Sequence, residues 1–240
     1  MRWYCVNLAS SLLIHGNELA ANFMEPIFSF PQLHESTNDC VKNAVKQLYN
    51  LITEPNEAIG AEVMDPLFQK LIEEDLEVIK FRLINSTIVG FKACEVEEAT
   101  NNRAGSTLQV KFFCPKFDQK GLYEMKGRIL TEDVEGDGDY ILNCGSYKLM
   151  TDFNLEKIQS NGKNYIQISG FTFKADPIGR STYRLNNLFG GDKELGDRLN
   201  AFINENWKTV AIAFHDLIFK PNIKRISKNA NKYLKTLPID

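Results

Sequence analysis

The stretch "LNNLFGGDKELGDRLNAFINENWKTVAIAF", Leu185 to Phe214, decides how the rest of the chain is read. Leu195, Leu199, Phe202, Ile203, Trp207, Val210 and Phe214 recur at intervals of three and four, the spacing that gathers apolar side chains on one stripe of a helix. Asp192, just after the Gly190-Gly191 pair, supplies a cap, because its carboxylate can accept from free amides of the first turn. The pattern predicts one amphipathic helix from about Asp192 to Leu217, roughly 38 Å long at 1.5 Å per residue. A second stripe, Ile223, Ile226, Ala230, Tyr233, Leu234 and Leu237, predicts a separate C-terminal helix from Pro221 to Leu237.

The residues before this stretch have another period. Ile79, Phe81 and Leu83 alternate with Lys80 and Arg82, and Leu108, Val110, Phe112 and Cys114 alternate with Thr107, Gln109 and Lys111. Alternation at period two is the mark of a strand with one buried face. Further strands are predicted at Gly121 to Thr131, Asp139 to Met150, Phe153 to Gln159, Asn164 to Lys174 and Thr182 to Leu188. Turn signals separate them: "NNRAG", "EGDG" and "SNGKN", the last carrying the Asn-Gly pair of a tight hairpin. Strands joined so closely pair antiparallel. Earlier still, Val41, Ala44, Val45, Leu48, Tyr49 and Ile52 follow helical spacing, with Ser36 to Asp39 as caps and Pro55 as the stop.

A long apolar stripe needs a partner of matching size, and the antiparallel meander is the available one. The fold class expected is therefore α+β: a long C-terminal helix wrapped by a highly curved antiparallel β-sheet, enclosing a hydrophobic tunnel. Residues 21–240 read as one domain. Residues 1–20 read as a weak leader, with a single Arg2, a moderately apolar run to Ile14 and small residues at Ala20 and Ala21.

Bulk composition narrows the function classes. The chain is 43% hydrophobic and 25% charged, which suits a folded soluble core. Its net charge of −3 offers no basic face to displace phosphate counterions, so nucleic acid is not an expected partner. No apolar run reaches the roughly 18 residues of a membrane-spanning helix, so no integral membrane association is expected. The basic segment Lys220 to Lys235 reads as a solvated helix face, with an anionic-lipid or partner contact as the other reading.

Catalytic and metal constellations find no support. His15, His34 and His215 are far apart, and His215 and Asp216, adjacent on a helix, are expected to point about 100° apart. The cluster Glu132 to Tyr140 begins like a calcium loop, but Cys144 stands where a bidentate Glu is required, so it reads as an acidic hairpin loop. No metal, no cofactor and no enzyme activity are expected. The five cysteines show no C-x-x-C spacing, and their connectivity stays open. Asn85-Ser86-Thr87 is a glycosylation tripeptide.

The block Asn187 to Trp207 resembles the signature region of the insect takeout / juvenile hormone binding protein family. The matching elements are Asn187-Leu188-Phe189, Gly191-Asp192, Leu195-Gly196 and Asn204-Glu205-Asn206-Trp207. "MDPL" (Met64 to Leu67), "EGDG" (Glu135 to Gly138) and the closing "NKYLKTLP" add to the likeness, which runs from about Phe28 to Asp240. The resemblance implies the tubular lipid-binding architecture, secretion into the extracellular space, and an apolar tunnel for juvenile hormone or another long apolar molecule. The family's first N-terminal cysteine has no match in "FPQLHEST"; Cys5 substitutes for it only if the leader is retained, whereas cleavage near Ala20 leaves Cys40 without its customary partner and Cys114 with Cys144, or free thiols, as the options.

The leading expectation is thus a secreted carrier of a small hydrophobic ligand, a juvenile hormone, terpenoid or fatty-acid-like lipid. The alternative is a non-catalytic interaction protein whose tunnel is filled or closed, with a receptor or target protein as partner. Candidate tunnel residues are Phe202, Trp207 and Phe214 on the helix and Phe112, Phe171 and Phe173 on strands, with Tyr123, Tyr140 and Tyr147 offering hydroxyls.

Overall fold

A computed structural model describes residues 38–75, 77–102 and 105–239. The weak leader of residues 1–20 lies outside them. The described residues open with α1 (Asn38–Ile52), whose Val41, Val45, Leu48, Tyr49 and Ile52 face the core as their spacing requires.

Among the described residues nine strands follow, in two antiparallel sheets rather than one. The strands are β1 (Leu67–Asp75), β2 (Ile79–Val89), β3 (Glu95–Asn101), β4 (Thr107–Cys114), β5 (Phe117–Ile129), β6 (Glu132–Cys144), β7 (Tyr147–Ser160), β8 (Lys163–Pro177) and β9 (Thr182–Leu185). One sheet has the order β1-β2-β5-β6-β9 and the other β3-β4-β7-β8. Strands β1 and β3 were not legible in the sequence, because irregular pairing breaks their alternation. In β2 the inward set passes from Ile79, Phe81 and Leu83 to Ser86 and Ile88 across a register shift at exposed Asn85, φ 51°. Its neighbour β1 follows, so its inward residues Leu67 and Ile72 stand five apart. A register shift between Val96 and Glu98 does the same to β3, leaving Val96 and Ala99 inward.

The expected loop "EGDG" is part of β6, paired residue for residue with β5 through Glu132. Its glycines serve approach, not turning: a Cβ on Gly138 would lie 2.5 Å from the Asn186 carbonyl oxygen, so only glycine lets the 186–188 segment cross here. The acidic residues of this segment sit on a strand, a geometry no calcium loop has.

The helical prediction needs correction at its centre. The chain forms α2 (Lys193–Glu205) and α3 (Trp207–Leu234), with the break at Asn206 instead of before Pro221. At the break the Asn206 side-chain amide donates to the Phe202 carbonyl (2.9 Å), a group its own backbone N–H also uses. Asn206 itself leaves the helical region, with φ −95° and ψ 23°, and this residue sets the bend. Pro221 costs one hydrogen bond, yet its neighbours Leu217, Ile218, Phe219, Asn222 and Ile223 are all buried, and this packing carries the helix through. Leu217, Ile218 and Phe219 are consecutive, and at about 100° per residue they cover some 200° of the circumference. A helix buried over such an arc is enclosed, not laid on a flat layer.

Asparagines join the helices to the sheet edges. Asn200 accepts from the Leu185 N–H (3.0 Å) and donates to its carbonyl (2.9 Å), and Asn204 does the same for Tyr183 (2.8 and 2.7 Å). Edge strand β9 is thus hydrogen-bonded by α2 as though by a tenth strand. Asn231 of α3 grips Ile168 of edge strand β8 in the same way (2.8 and 2.9 Å). Two of the four sheet edges, β9 and β8, are thus blunted by helices, which answers the hazard of unpaired edge groups. Removing Asn204 as alanine strands both Tyr183 backbone groups. The variant is expected to lose about 2 kcal/mol, read by urea unfolding, with faster hydrogen exchange at the Tyr183 amide.

Much of the Asn187 to Trp207 block is therefore architectural. Asn187 donates to the Asp137 carbonyl, Asp192 caps α2 by accepting from the Leu195 N–H (3.0 Å), and Asn206 stands at the bend. Cys94 and Cys114 form a disulfide, so Cys114 does not pair with Cys144, which is a buried free thiol. Cys40 is also disulfide-bonded, so it is not one of the free thiols. In the basic C-terminal segment, Arg225 and Lys232 bind Glu62 and the nearby Phe68 and Gly60 carbonyls, while Lys220, Lys224, Lys228 and Lys235 are exposed. No helix among the described residues is long and apolar enough to cross a membrane.

Candidate functional site

The interior between the two sheets and α3 is filled at one end and hollow at the other. At the filled end, Phe91, Phe117, Tyr147 and Phe219 stack with ring centroids 4.9 to 6.2 Å apart, all nearly inaccessible. Their edge-to-face and tilted arrangement is the favoured packing for aromatic quadrupoles. The expected tunnel is thus closed on this side, and Tyr147 belongs to the plug.

Toward the β5–β6 hairpin the packing loosens into an apolar cavity of about 80 Å³. Its walls are Ile79, Phe81 and Leu83 of β2, Met125 and Ile129 of β5, Tyr140 and Leu142 of β6, and Tyr183 and Leu185 of β9. Ile203 of α2 and Val210, Ala211, Phe214, Leu217 and Ile218 of α3 close it. At about 30 Å³ per water this holds two or three solvent-sized groups. Met125 and Phe214 are its partly exposed members and form the lip. The Phe214 ring meets Phe81 edge-on at 6.0 Å, while the next residue, His215, meets Phe173 edge-on at 5.9 Å. Outside the lip lies a half-buried strip of β7 and β8 that includes Phe153, Phe171 and Phe173.

Of the residues singled out from sequence, Tyr140 and Phe214 line the cavity. Phe171 and Phe173 lie on the half-buried strip beside α3, and Phe202 and Trp207 are partly buried at the α2–α3 bend. Phe112 packs against Tyr49 of α1 (5.1 Å), and Tyr123 is buried with its hydroxyl donating to the Asn186 carbonyl (2.7 Å). The sequence reading favoured aromatic rings, whereas the walls are mostly aliphatic. Ile79, Phe81 and Leu83 carried a usable signal in their alternation; Ala211 and Leu142 carried none that separates wall from core.

Polar groups in this region are buried and matched, with few exceptions. Tyr140 donates to Ser86 Oγ (2.7 Å) and accepts from Gln119 Nε2 (3.0 Å). Burial pushes its hydroxyl up to about 12, against the opposing pull of those two partners, so it is a neutral hydrogen-bonding group at any physiological pH. Tyr123 rises to about 12 through burial and the charges of Asp137 and Asp139. Burial also raises the Cys144 thiol to about 12, with Asp118 adding to the effect. A thiol so placed has little nucleophile to offer. Native protein at pH 8 is expected to resist iodoacetamide at Cys144 over hours and to react within minutes in denaturant, as read by mass spectrometry.

His215 and Asp216 do meet, with Nε2 to Oδ1 at 3.1 Å, contrary to the expectation from helical spacing. The ring's other nitrogen, Nδ1, lies against the Ile212 carbonyl oxygen (2.5 Å). No group of three or more potential metal ligands occurs among the described residues. A larger groove of about 510 Å³ lies over β9 and the start of α2, lined by the charged Arg184, Asp192, Lys193 and Asp197 together with the apolar Leu185 and Leu188.

Comparison with known proteins gives three findings. Residues 12–240 match the sequence model of a family described as haemolymph juvenile hormone binding protein. The chain is similar to the circadian clock-controlled protein daywake of Drosophila melanogaster, 24% identical over 127 residues, 52% of this chain and 48% of that protein. It thus spans about half the length of the curated relative it matches. Its fold is similar to the crystal structure of Epiphyas postvittana Takeout 1, with a TM-score of 0.78 and 26% identity over 86% of this chain and 94% of that one.

Proposed function

The chain belongs to the haemolymph juvenile hormone binding protein family, and from that premise we propose that it is a secreted, non-catalytic carrier of a small hydrophobic molecule. The observation that carries the reading is the apolar cavity itself, set between the five-stranded sheet and the α2–α3 pair and lined by aliphatic and aromatic side chains. Affinity in such a site comes from removing apolar surface from water, about 25 cal/mol per Å². A ligand of several hundred Å² would gain several kcal/mol before association costs, enough for micromolar binding.

At about 80 Å³ the cavity is smaller than any juvenile hormone, terpenoid or fatty acid chain. Entry therefore requires the lip to move. Methionine is unbranched and adaptable, and Phe214 sits on one side of a helix whose other side is anchored, so these two residues can yield without unmaking the core. The half-buried strip with Phe171 and Phe173 then offers apolar surface for the rest of a longer chain.

The aromatic plug favours a second reading, a protein that acts through its surface with a receptor or target as partner. Organic extraction of protein purified from its secreting tissue, followed by mass spectrometry, separates the two. Recovery of a stoichiometric apolar molecule supports the carrier. A clean extract, together with no response to a fluorescent fatty acid, supports the surface-acting reading.

A further inference from the structure

The outer face of the five-stranded sheet is apolar around one asparagine. Leu71, Ile84 and Leu122 are partners across β1, β2 and β5. Adjacent strands lie about 4.8 Å apart, so the three form one continuous row. Phe68, opposite Thr87, belongs to the next row. Phe68, Leu71 and Leu122 are 50%, 45% and 48% exposed. Single exposed apolar side chains are ordinary, whereas a contiguous group marks a surface that something covers. Between the two rows β2 carries its register shift. Leu83 and Ser86 point inward, which leaves Ile84 and Asn85 together on the outer side. Asn85 is exposed, and, unlike Asn200, Asn204 or Asn231, its side-chain amide is engaged by no other described residue.

Asn85-Ser86-Thr87 is the one Asn-x-Ser/Thr triplet in the 240 residues, and its middle position is not proline. Sugar transfer acts on the chain before it folds, so the folded state has only to leave the asparagine side chain in solvent with room around it. The bulge does this: Ser86 turns inward to accept from Tyr140, and Asn85 is left outside. A φ of 51° is one that asparagine tolerates, so the bulge alone explains why asparagine stands here. It does not explain the apolar surface around it.

We propose that Asn85 is an N-glycosylation site, and that the first sugars of its oligosaccharide cover the face formed by Phe68, Leu71, Ile84 and Leu122. This rests on the secreted reading, because the donor, an oligosaccharide carried on a polyprenyl pyrophosphate, belongs to the secretory route. In the transfer Asn85 Nδ2 bonds to the anomeric carbon of an N-acetylglucosamine, and that carbon's bond to the pyrophosphate oxygen breaks. The pyrophosphate leaves with the electron pair, one Nδ2 proton is lost, and nothing is oxidised or reduced. N-acetylglucosamine turns hydroxyls to water and offers a methyl group and a face of ring C–H bonds to the sheet, which takes apolar surface out of water. The cavity is untouched, since it is walled by the inward residues Ile79, Phe81 and Leu83 on the other side of the same strand.

The test expresses the full chain in insect cells and weighs the protein recovered from the medium. The native protein is expected to carry a mass excess that peptide N-glycosidase A removes, leaving aspartate at position 85 in the peptide map. Asn85→Gly, which suits the left-handed backbone, and Thr87→Val are expected to lose the excess, and Thr87→Ser to keep it. Glycan-free protein is expected to bind more 1-anilinonaphthalene-8-sulfonate and to shift to larger species in light scattering, and adding Leu122→Thr is expected to reverse both. Secreted protein with unmodified Asn85 overturns the inference and leaves the carrier reading standing. A glycan whose removal changes neither dye binding nor size overturns its covering role. Protein that stays in the cytosol without sugar removes the secreted reading and the inference with it. Should Asn85→Gly not fold, Thr87→Val, which leaves the bulge residue in place, decides.

Discussion

Ala211→Leu is expected to fold normally, to be as stable as the native protein or more so, and to bind apolar ligands fifty- to a hundredfold more weakly. Ala211 is buried on α3 and faces the cavity. Leucine adds three carbons, each near the size of a water at about 30 Å³, so the addition nearly equals the cavity's 80 Å³. Filling an empty space restores dispersion contacts, which is why stability holds. The same three carbons exclude about three methylenes of ligand, worth about 0.8 kcal/mol each, and roughly 2.4 kcal/mol is the stated loss. Probe titration and a thermal melt read the two effects. A variant that binds as well as the native protein would place the guest elsewhere. Its melting point separates that outcome from misfolding.

Phe219→Ala tests the opposite end of the interior. Phe219 is fully buried and packs against both Phe117 (5.3 Å) and Tyr147 (5.0 Å), so its ring is the keystone of the plug. Truncating it removes the ring's transfer energy and leaves a void, a change that costs about 3–5 kcal/mol in well-packed cores. For a chain of this length each kcal/mol lowers the melting temperature by about 2–4 °C, so a fall of about 10 °C is expected. A much smaller fall would mean the plug is loosely packed and rearranges easily. The variant also probes the surface-acting reading: opening the plug lengthens the hollow, so longer alcohols and acids are expected to bind better at low temperature, where the protein stays folded.

What could be read before the structure depends on intact local patterns. Helix α1 was legible because its apolar spacing runs unbroken and it is bounded by caps and a proline. Strands β2, β4, β5 and β8 were legible wherever alternation survives, as in Leu108, Val110 and Phe112. Strands β1 and β3 were hidden by register shifts, since one slipped residue turns the pattern into neither period. The bend at Asn206 was hidden for another reason. Asn206 resembles the asparagines that stay helical at 200, 204 and 222, so nothing written marks it, while the stronger written signal, Pro221, is overruled by the packing around it.

The site divided along the same line. The Asn187 to Trp207 block pointed to a family, and the family to an apolar interior, before any coordinate was known. The block's asparagines then proved to be fastenings between helices and sheet edges, a role that appears only when Asn200 meets Leu185 and Asn204 meets Tyr183.

By itself the sequence determined, where the pattern runs unbroken as in α1, β2 and β4, which side chains face inward, and that the C-terminal helix must be sheathed by strands, because periodicity of 3.6 and 2 is a local property of the chain; it misplaced Leu195, which is exposed. Only the tertiary structure decided where that inward surface closes, at Phe117, Tyr147 and Phe219, and where it stays hollow, between Met125 and Tyr140. The physical reason is that a void is the difference between the space the backbones enclose and the summed volume of side chains from elements far apart in sequence. No single segment carries that difference.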